Sequence, residues 1–269
     1  MTEQLDDIGR VSPLASATTR PGILIAERLT KEFKGFTAVK NVDLIVREGS
    51  IHALIGPNGA GKTTVFNLLS KFLTPTSGTI KFRGEDITNI PPASVAQRGL
   101  VRSFQISAVF PRFSVLDNVR VALQRRRNLS TQLWRSRKSL ETLDEAALPL
   151  IESAGLRPYV DIPAAELPYG RKRILELTTT LALDPVLMLL DEPMAGMAHE
   201  DVGSVSELIR NAARGRTVVM VEHNLSVVAD LCDFVTVLQR GEILVGGSYS
   251  EVSKDPRVQE AYMGTEDDD

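Results

Sequence analysis

Gly56-Pro57-Asn58-Gly59-Ala60-Gly61-Lys62-Thr63 fits G-x-x-x-x-G-K-[ST] at every fixed position, and the reading of the whole chain starts from it. Each fixed residue type fills only a few per cent of positions in ordinary proteins, so an accidental match has odds on the order of one in a hundred. The flanks agree with the motif. Ile51 to Ile55 precedes it as an apolar strand, and Thr64 to Leu69 follows with Val65, Leu68 and Leu69 at helical spacing. Glycines let the backbone curl until its N–H groups converge on an anion, and the following helix adds the positive end of its dipole. Gly56, Pro57, Asn58, Gly59, Ala60, Gly61, Lys62, Thr63 and Thr64 are therefore expected to wrap a nucleotide's phosphates. Lys62 supplies a mobile charge for the outer phosphates, and the Thr63 hydroxyl can ligate Mg²⁺. A dinucleotide fingerprint needs a third glycine where Thr64 stands, which sets that alternative aside.

A second stretch fits the same chemistry. Leu187-Met188-Leu189-Leu190-Asp191-Glu192 is an apolar run ending in two acids, the pattern of a buried parallel strand that delivers carboxylates to the carboxyl edge of a sheet. Asp191 is placed to join the magnesium shell, and Glu192 to polarise an attacking water. One carboxylate suffices for binding a metal nucleotide, so the adjacent glutamate points to hydrolysis.

Outward from these stretches, Val- and Ile-rich runs at Ile23 to Ile25, Val39 to Val46 and Thr79 to Phe82 read as strands, as do Val186 to Leu190, Thr217 to Val221, Phe234 to Leu238 and Glu242 to Val245. Helical stretches lie between the later strands, which predicts an α/β fold with a largely parallel sheet. Between Val119 and Gly155 the pattern changes to leucines at helical spacing with few β-branched residues, as in Leu140, Leu143 and Ala147; this segment is expected to be a helical insert. Residues 1–20 read as a polar tail. Glu266 to Asp269 read as an acidic, solubilising one.

Composition bounds the function. At 269 residues the chain makes one large or two small domains, and 43% hydrophobic with 24% charged residues is ordinary globular usage. With 31 basic and 34 acidic residues the net charge is -3, which argues against holding nucleic acid by bulk positive charge. The single cysteine, Cys232, can form neither an internal disulfide nor a cysteine metal site, and it reads as a small buried apolar residue. No run approaches ~18 apolar residues, and the start lacks the basic-then-apolar order of a secretory signal. Membrane contact is then expected to come through a partner.

With these motifs in hand, the chain resembles the nucleotide-binding subunit of ABC transporters, from about Ile23 to Gly264. The resemblance implies a P-loop NTPase: a RecA-like core over 21–105 and 167–264 with an antiparallel β subdomain, and a helical subdomain over 106–166. Further residues match that family in order and spacing. Gln105, in Arg102-Ser103-Phe104-Gln105, resembles the Q-loop glutamine that touches Mg²⁺ and the attacking water. His223 resembles the switch histidine that contacts the γ-phosphate, Phe33 the ring that stacks on adenine, and Ala195 to Ala198 the D-loop. Phe36 lies close to Phe33, and either ring can instead be core. His52 and His199 match no catalytic slot and read as structural. Leu167-Pro168-Tyr169-Gly170, Ala195-Gly196-Met197 and the ending from Asp255 to Gly264 are similar to the larger ATPase subunit of branched-chain amino-acid importers and their urea or amide relatives.

The resemblance further implies ATP and Mg²⁺ as ligands and a second ABC ATPase subunit, a copy or a relative. It also implies transmembrane permease subunits at the cytoplasmic face of the membrane, an extracytoplasmic solute-binding protein acting indirectly, and no nucleic acid. One segment departs from the family. The signature usually reads Leu-Ser-Gly-Gly-Gln, and here its slots hold Leu167, Pro168, Tyr169, Gly170 and Arg171. In relatives this segment opens a helix facing the γ-phosphate of ATP bound by the other subunit. Pro168 removes both a hydroxyl and a backbone donor, whereas Gly170 still permits close approach. A slowly hydrolysing regulatory subunit is the rival reading that this departure suggests; a soluble ABC ATPase acting on nucleic acid is a second, disfavoured by the charge. The basic run Arg125, Arg126, Arg127, Arg135, Arg137 and Lys138, with Trp134 inside it, reads either as a solvated face or as a contact for anionic lipid or permease loops. Val109, Phe110, Phe113 and Val115 lie where the family's coupling helix docks, or in the packing of the insert.

Overall fold

The structure is a computed structural model that describes residues 21–103, 109–126 and 137–263. The amino-terminal part holds strands β1 (Gly22–Phe33), β2 (Phe36–Arg47) and β3 (Ile51–Ile55), helix α1 (Lys62–Leu69), strands β4 (Ser77–Phe82) and β5 (Glu85–Asp86), helix α2 (Pro92–Gln97) and strand β6 (Leu100–Arg102). Helices α3 (Val115–Arg126), α4 (Arg137–Ser153) and α5 (Tyr169–Ala182) follow. The rest alternates: β7 (Leu187–Asp191), α6 (His199–Ala212), β8 (Thr217–Val221), α7 (Leu225–Leu231), β9 (Phe234–Gln239), β10 (Glu242–Gly247), α8 (Tyr249–Val252) and α9 (Pro256–Met263). The two expected tails, and Arg127, Trp134 and Arg135 of the basic run, lie outside the described residues; Arg125 and Arg126 end α3, and Arg137 and Lys138 begin α4.

Strands β3, β7 and β8 are buried at every position, which is the condition of parallel strands covered on both faces. They belong to a six-stranded sheet of order β10-β9-β3-β8-β7-β6, parallel throughout except for the β9–β10 hairpin at one edge. Side-chain alternation divides the interior into two layers. Ala53, Met188, Leu190, Val218, Met220 and Val235 face a layer shared with α3 to α6. Leu54, Leu187, Leu189, Val219, Val221 and Leu238 face the other layer, shared with α1 and with a four-stranded antiparallel sheet of order β2-β1-β4-β5. A one-residue slip in any of these strands would exchange the two layers, so register is strongly fixed.

The insert begins four residues earlier than the leucine spacing indicates, at Val115 rather than Val119. Ser114 accounts for the start: its Oγ accepts from the Asp117 amide at 3.1 Å and donates to the Asp117 carboxylate at 3.0 Å. Among the described residues no helix is long and apolar enough to cross a membrane.

His52 is enclosed in β3, 1% exposed, with Nε2 hydrogen-bonded to Thr236 Oγ1 at 2.8 Å and its ring tilted against Phe234. Burial, aided by the positive charge of Arg47, pushes its pKa from 6.5 down to about 4. The folded protein therefore keeps this imidazole neutral while the unfolded chain takes up a proton below about pH 6.5. The stability that rests on the neutral ring is complete above pH ~6.5 and declines as pH falls towards ~4. Urea unfolding at pH 7.5 and pH 5 is expected to show a larger loss for the wild-type chain than for His52→Gln; equal losses would place the acid sensitivity elsewhere.

Candidate functional site

Parallel strands put their following loops on one edge, and here β3, β8, β7 and β6 are consecutive neighbours. That edge gathers the 56–63 loop, Asp191 and Glu192, Glu222 and His223, and Arg102 and Ser103. Residues far apart in sequence become one site through topology alone.

The loop after β3 is shaped by crowding. Gly56 has φ +147°, and a Cβ there would lie 2.1 Å from the Leu238 carbonyl oxygen; at Gly61, φ +99°, a Cβ would lie 2.7 Å from the Ala38 oxygen. Gly59, φ +76°, meets nothing and is needed only for its backbone angle. The β9–β10 turn braces the loop from behind, the Gly241 amide donating to the Ala60 carbonyl at 3.0 Å. The Lys62 ammonium turns back over the loop, donating to the Gly56 oxygen at 2.6 Å and the Pro57 oxygen at 2.9 Å. Burial lowers its pKa, and the negative charge of Glu192 opposes that shift. Lys62 and Glu192 thus share one electrostatic environment.

At the end of β7, Asp191 has a side chain only 3% exposed and is ion-paired at 2.6 Å with Arg102 from β6. Glu192 turns the chain out of the strand with φ +45°, a conformation few non-glycine residues adopt. Its backbone is tied on both sides: its amide donates to the Val221 carbonyl at 3.0 Å, and its carbonyl accepts from Arg173 Nη2 at 3.0 Å. Arg173 is itself paired with Glu176 at 2.7 Å within α5. The Glu192 carboxylate meets His223, Oε1 to Nε2 at 2.8 Å. Beside it, Glu222 is 4% exposed and accepts backbone N–H bonds from Met194 at 2.9 Å, His223 at 3.1 Å and Asn224 at 3.3 Å. Burial raises the pKa of Glu222, and the three amides work against the rise. Arg102, Arg173 and Glu222 escape the sequence reading. A charge beside the apolar Leu100 and Val101, and an acid directly after the apolar Thr217–Val221 run, are the only signals that point to two of them.

The other expected residues are placed less centrally. Pro168 is the residue before α5 and makes no side-chain cap. Tyr169 donates its hydroxyl to the Ala195 carbonyl at 3.0 Å, joining the start of α5 to the 195–198 loop of the same chain. Gly170 lies against the Asp201 carboxylate, where a Cβ would meet Oδ2 at 2.1 Å. Among the described residues, no hydrogen bond or ion pair joins these three to the 56–63 loop. The Arg171 guanidinium lies 6.0 Å from the centre of the Tyr159 ring. Phe33 and Phe36 close the β1–β2 hairpin at 41% and 68% exposure, so neither ring is core, and Lys31 sits over the Phe33 ring at 5.2 Å. Gln105 lies outside the described residues.

The donors at the edge suit a magnesium nucleotide. The Thr63 hydroxyl in the first turn of α1 and the Asp191 carboxylate are hard oxygens, the kind Mg²⁺ accepts when phosphate oxygens and water complete its shell. Among the described residues, no cluster of three or more His, Cys, Asp or Glu that could enclose a metal occurs.

Comparison with known proteins agrees with this geometry. Residues 39–195 match the ABC transporter family, and residues 242–268 match the branched-chain amino acid ATP-binding cassette transporter family. The high-affinity branched-chain amino acid transport ATP-binding protein LivG of Salmonella typhimurium is 36% identical over 90% of this chain and 98% of its own length. BraF of Pseudomonas aeruginosa, a protein of the same description, is 34% identical over 91% of this chain and 99% of its own. Among solved structures, a nucleotide-free ATP-binding cassette from an ABC transporter superposes with a TM-score of 0.78 at 28% identity, covering 90% of this chain and 99% of that one. An ATP-binding cassette in its ADP conformation gives 0.78 at 29% identity, covering 91% and 99%. By motif, by fold and by relatives across nearly its whole length, the chain belongs to the ATP-binding cassettes of the ABC transporter family.

Proposed function

We propose that the chain is the ATP-hydrolysing subunit of an importer for branched-chain or closely related amino acids, acting at the cytoplasmic face of the membrane. The observation that carries this reading is the convergence of Lys62, Asp191 and the Glu192–His223 pair on one sheet edge. The solute class rests on the relatives and on the carboxyl-terminal family match.

Each residue has a physical task. The loop amides and Lys62 bind the phosphates, and Thr63, Gln105 and Asp191 would hold Mg²⁺. When bound, that ion would supply neutralisation of the charge that develops on the phosphates during transfer. His223 fixes the Glu192 carboxylate through Oε1, so that Oε2 orients the attacking water. The unusual backbone angle of Glu192 is held by Val221 and Arg173, which keeps the carboxylate at the strand's exit instead of swinging with a loose turn. Phe33 offers an exposed ring for the adenine. Pro168, Tyr169 and Gly170 face the nucleotide of a second ATPase subunit, and the Tyr169–Ala195 bond makes that segment and the 195–198 loop move together. Two such subunits close on two ATP molecules, pull on the permease, and reopen after hydrolysis; a solute-binding protein outside the membrane delivers the cargo.

Pro168 gives one specific reason to keep the slower, regulatory reading in view. A serine there would add a bond to a charged phosphate worth ~1.5 to 3 kcal/mol. It would also cap α5, a position Pro168 fills with its carbonyl alone, accepting from the Lys172 amide.

Two experiments separate these readings. In vesicles reconstituted with permease and solute-binding protein, Glu192→Gln is expected to lower ATP turnover about 10²- to 10⁴-fold. Leucine uptake should fall with it, while an ATP-bound dimer accumulates on gel filtration; retained turnover would remove Glu192 from its role. Pro168→Ser is expected to tighten ATP-dependent dimerisation about tenfold or more, measured by analytical ultracentrifugation, and to raise the melting temperature of the lone subunit. Unchanged dimer affinity would show that the signature segment tolerates proline without cost.

A further inference from the structure

Arg102 touches more of the site's framework than its place on an edge strand requires. Its Nη2 donates to Asp191 Oδ2 at 2.6 Å, while Nη1 donates to Asn67 Oδ1 at 2.5 Å and to Ser70 Oγ at 3.1 Å. Asn67 and Ser70 belong to the end of α1, the helix that opens with Lys62 and Thr63. The guanidinium is held between two rings, 5.1 Å from the centre of Phe66 and 5.4 Å from that of Phe72. The side chain is 11% exposed, and its buried Nε finds no partner. The backbone is fixed as well: Arg102 pairs with Leu189 across β6 and β7, and the Ser103 amide donates to the Leu189 carbonyl at 2.9 Å.

A buried ion pair is weak evidence of a gain in stability, because apolar residues of the same volume often do as well. Its location is more informative. Besides Gln105, the metal shell proposed above draws one oxygen from α1, through Thr63, and one from β7, through Asp191. Arg102 bonds to both of those elements at once. It also engages Asp191 through Oδ2 alone; among the described residues no hydrogen bond reaches Oδ1. An arginine fork can hold this geometry because it is planar and rigid, whereas a lysine is a point charge on a flexible stem.

We infer that Arg102 is a positioning residue for the metal: it locks the Asp191 carboxylate to helix α1, the helix that carries Thr63, and engages Oδ2 so that Oδ1 is left for a magnesium shell. The arginine makes no contact with nucleotide or metal in this account. It acts through Asp191, and the inference rests on reading Asp191 as the carboxylate of the metal shell.

The test is the magnesium requirement for nucleotide binding by the full-length chain. Retention of a fluorescent ATP analogue is titrated with Mg²⁺, and binding in EDTA is measured alongside. Outer partners of metal ligands typically control affinity by about 10- to 100-fold, so Arg102→Met is expected to raise the half-saturating Mg²⁺ concentration about tenfold or more while binding in EDTA stays unchanged. Asn67→Ala keeps the ion pair but removes the anchor on α1; it is expected to move the requirement in the same direction by a smaller factor, and it serves if Arg102→Met does not fold. Arg102→Lys should recover thermal stability without restoring the wild-type magnesium requirement. An unchanged requirement in folded variants would overturn the inference, as would a lowered one, which would make the arginine a competitor for Asp191. Asp191→Asn separates the two layers of the argument. If that change leaves the magnesium requirement unaltered, the reading of Asp191 fails; if it raises the requirement and the Arg102 and Asn67 variants do not, only the role of Arg102 fails.

Discussion

The site depends on a steric constraint: the turn after β3 runs so close to two carbonyl oxygens, those of Leu238 and Ala38, that Gly56 and Gly61 leave no room for a side chain. The close approach presses the loop against β9 and β2 and braces it from behind through Gly241. A loop fixed this way has its amides oriented before any anion arrives, so little ordering has to be supplied at the moment of binding. The parallel sheet then determines what stands opposite, since β7 and β8 must end on the same edge as β3.

Charge at that edge is organised in pairs. Lys62 lies in the field of Glu192, Asp191 is matched by Arg102, Glu192 by His223, and Glu222 by three backbone amides. Buried or half-buried charges without partners would be costly. Each pairing also gives a carboxylate an orientation, and a hydrolytic site needs orientation as much as charge. The same bonds tie separate segments together: Glu222 connects Met194, two residues past Glu192, to His223, and Tyr169 connects the start of α5 to Ala195.

The parts that were legible in the sequence are local. The phosphate loop is eight contiguous residues whose types follow from backbone geometry, and the strand before Asp191 announces itself as an apolar run that stops on two acids. The five central strand runs were found because each is short, apolar and bounded by turns. What was not legible depends on partners distant in sequence. Arg102 and Asp191 are 89 positions apart, and Glu222 and Met194 are 28 apart; no periodicity reports such pairs, and a single arginine in an edge strand resembles a solvated end. The start of α3 at Val115, inside the expected 106–166 subdomain, is set by a serine cap that the leucine spacing from Val119 does not report. The order of the strands, which makes the site, is a property of the fold that the separate runs do not contain.

Calorimetric titration of the folded full-length chain with ATP in the presence of Mg²⁺, beside Lys62→Ala, tests the central claim most directly. The account requires one adenine nucleotide bound per chain, with binding lost or severely weakened in the variant. No heat of binding by a wild-type chain shown to be folded by circular dichroism, or equal affinity in the two proteins, would contradict it.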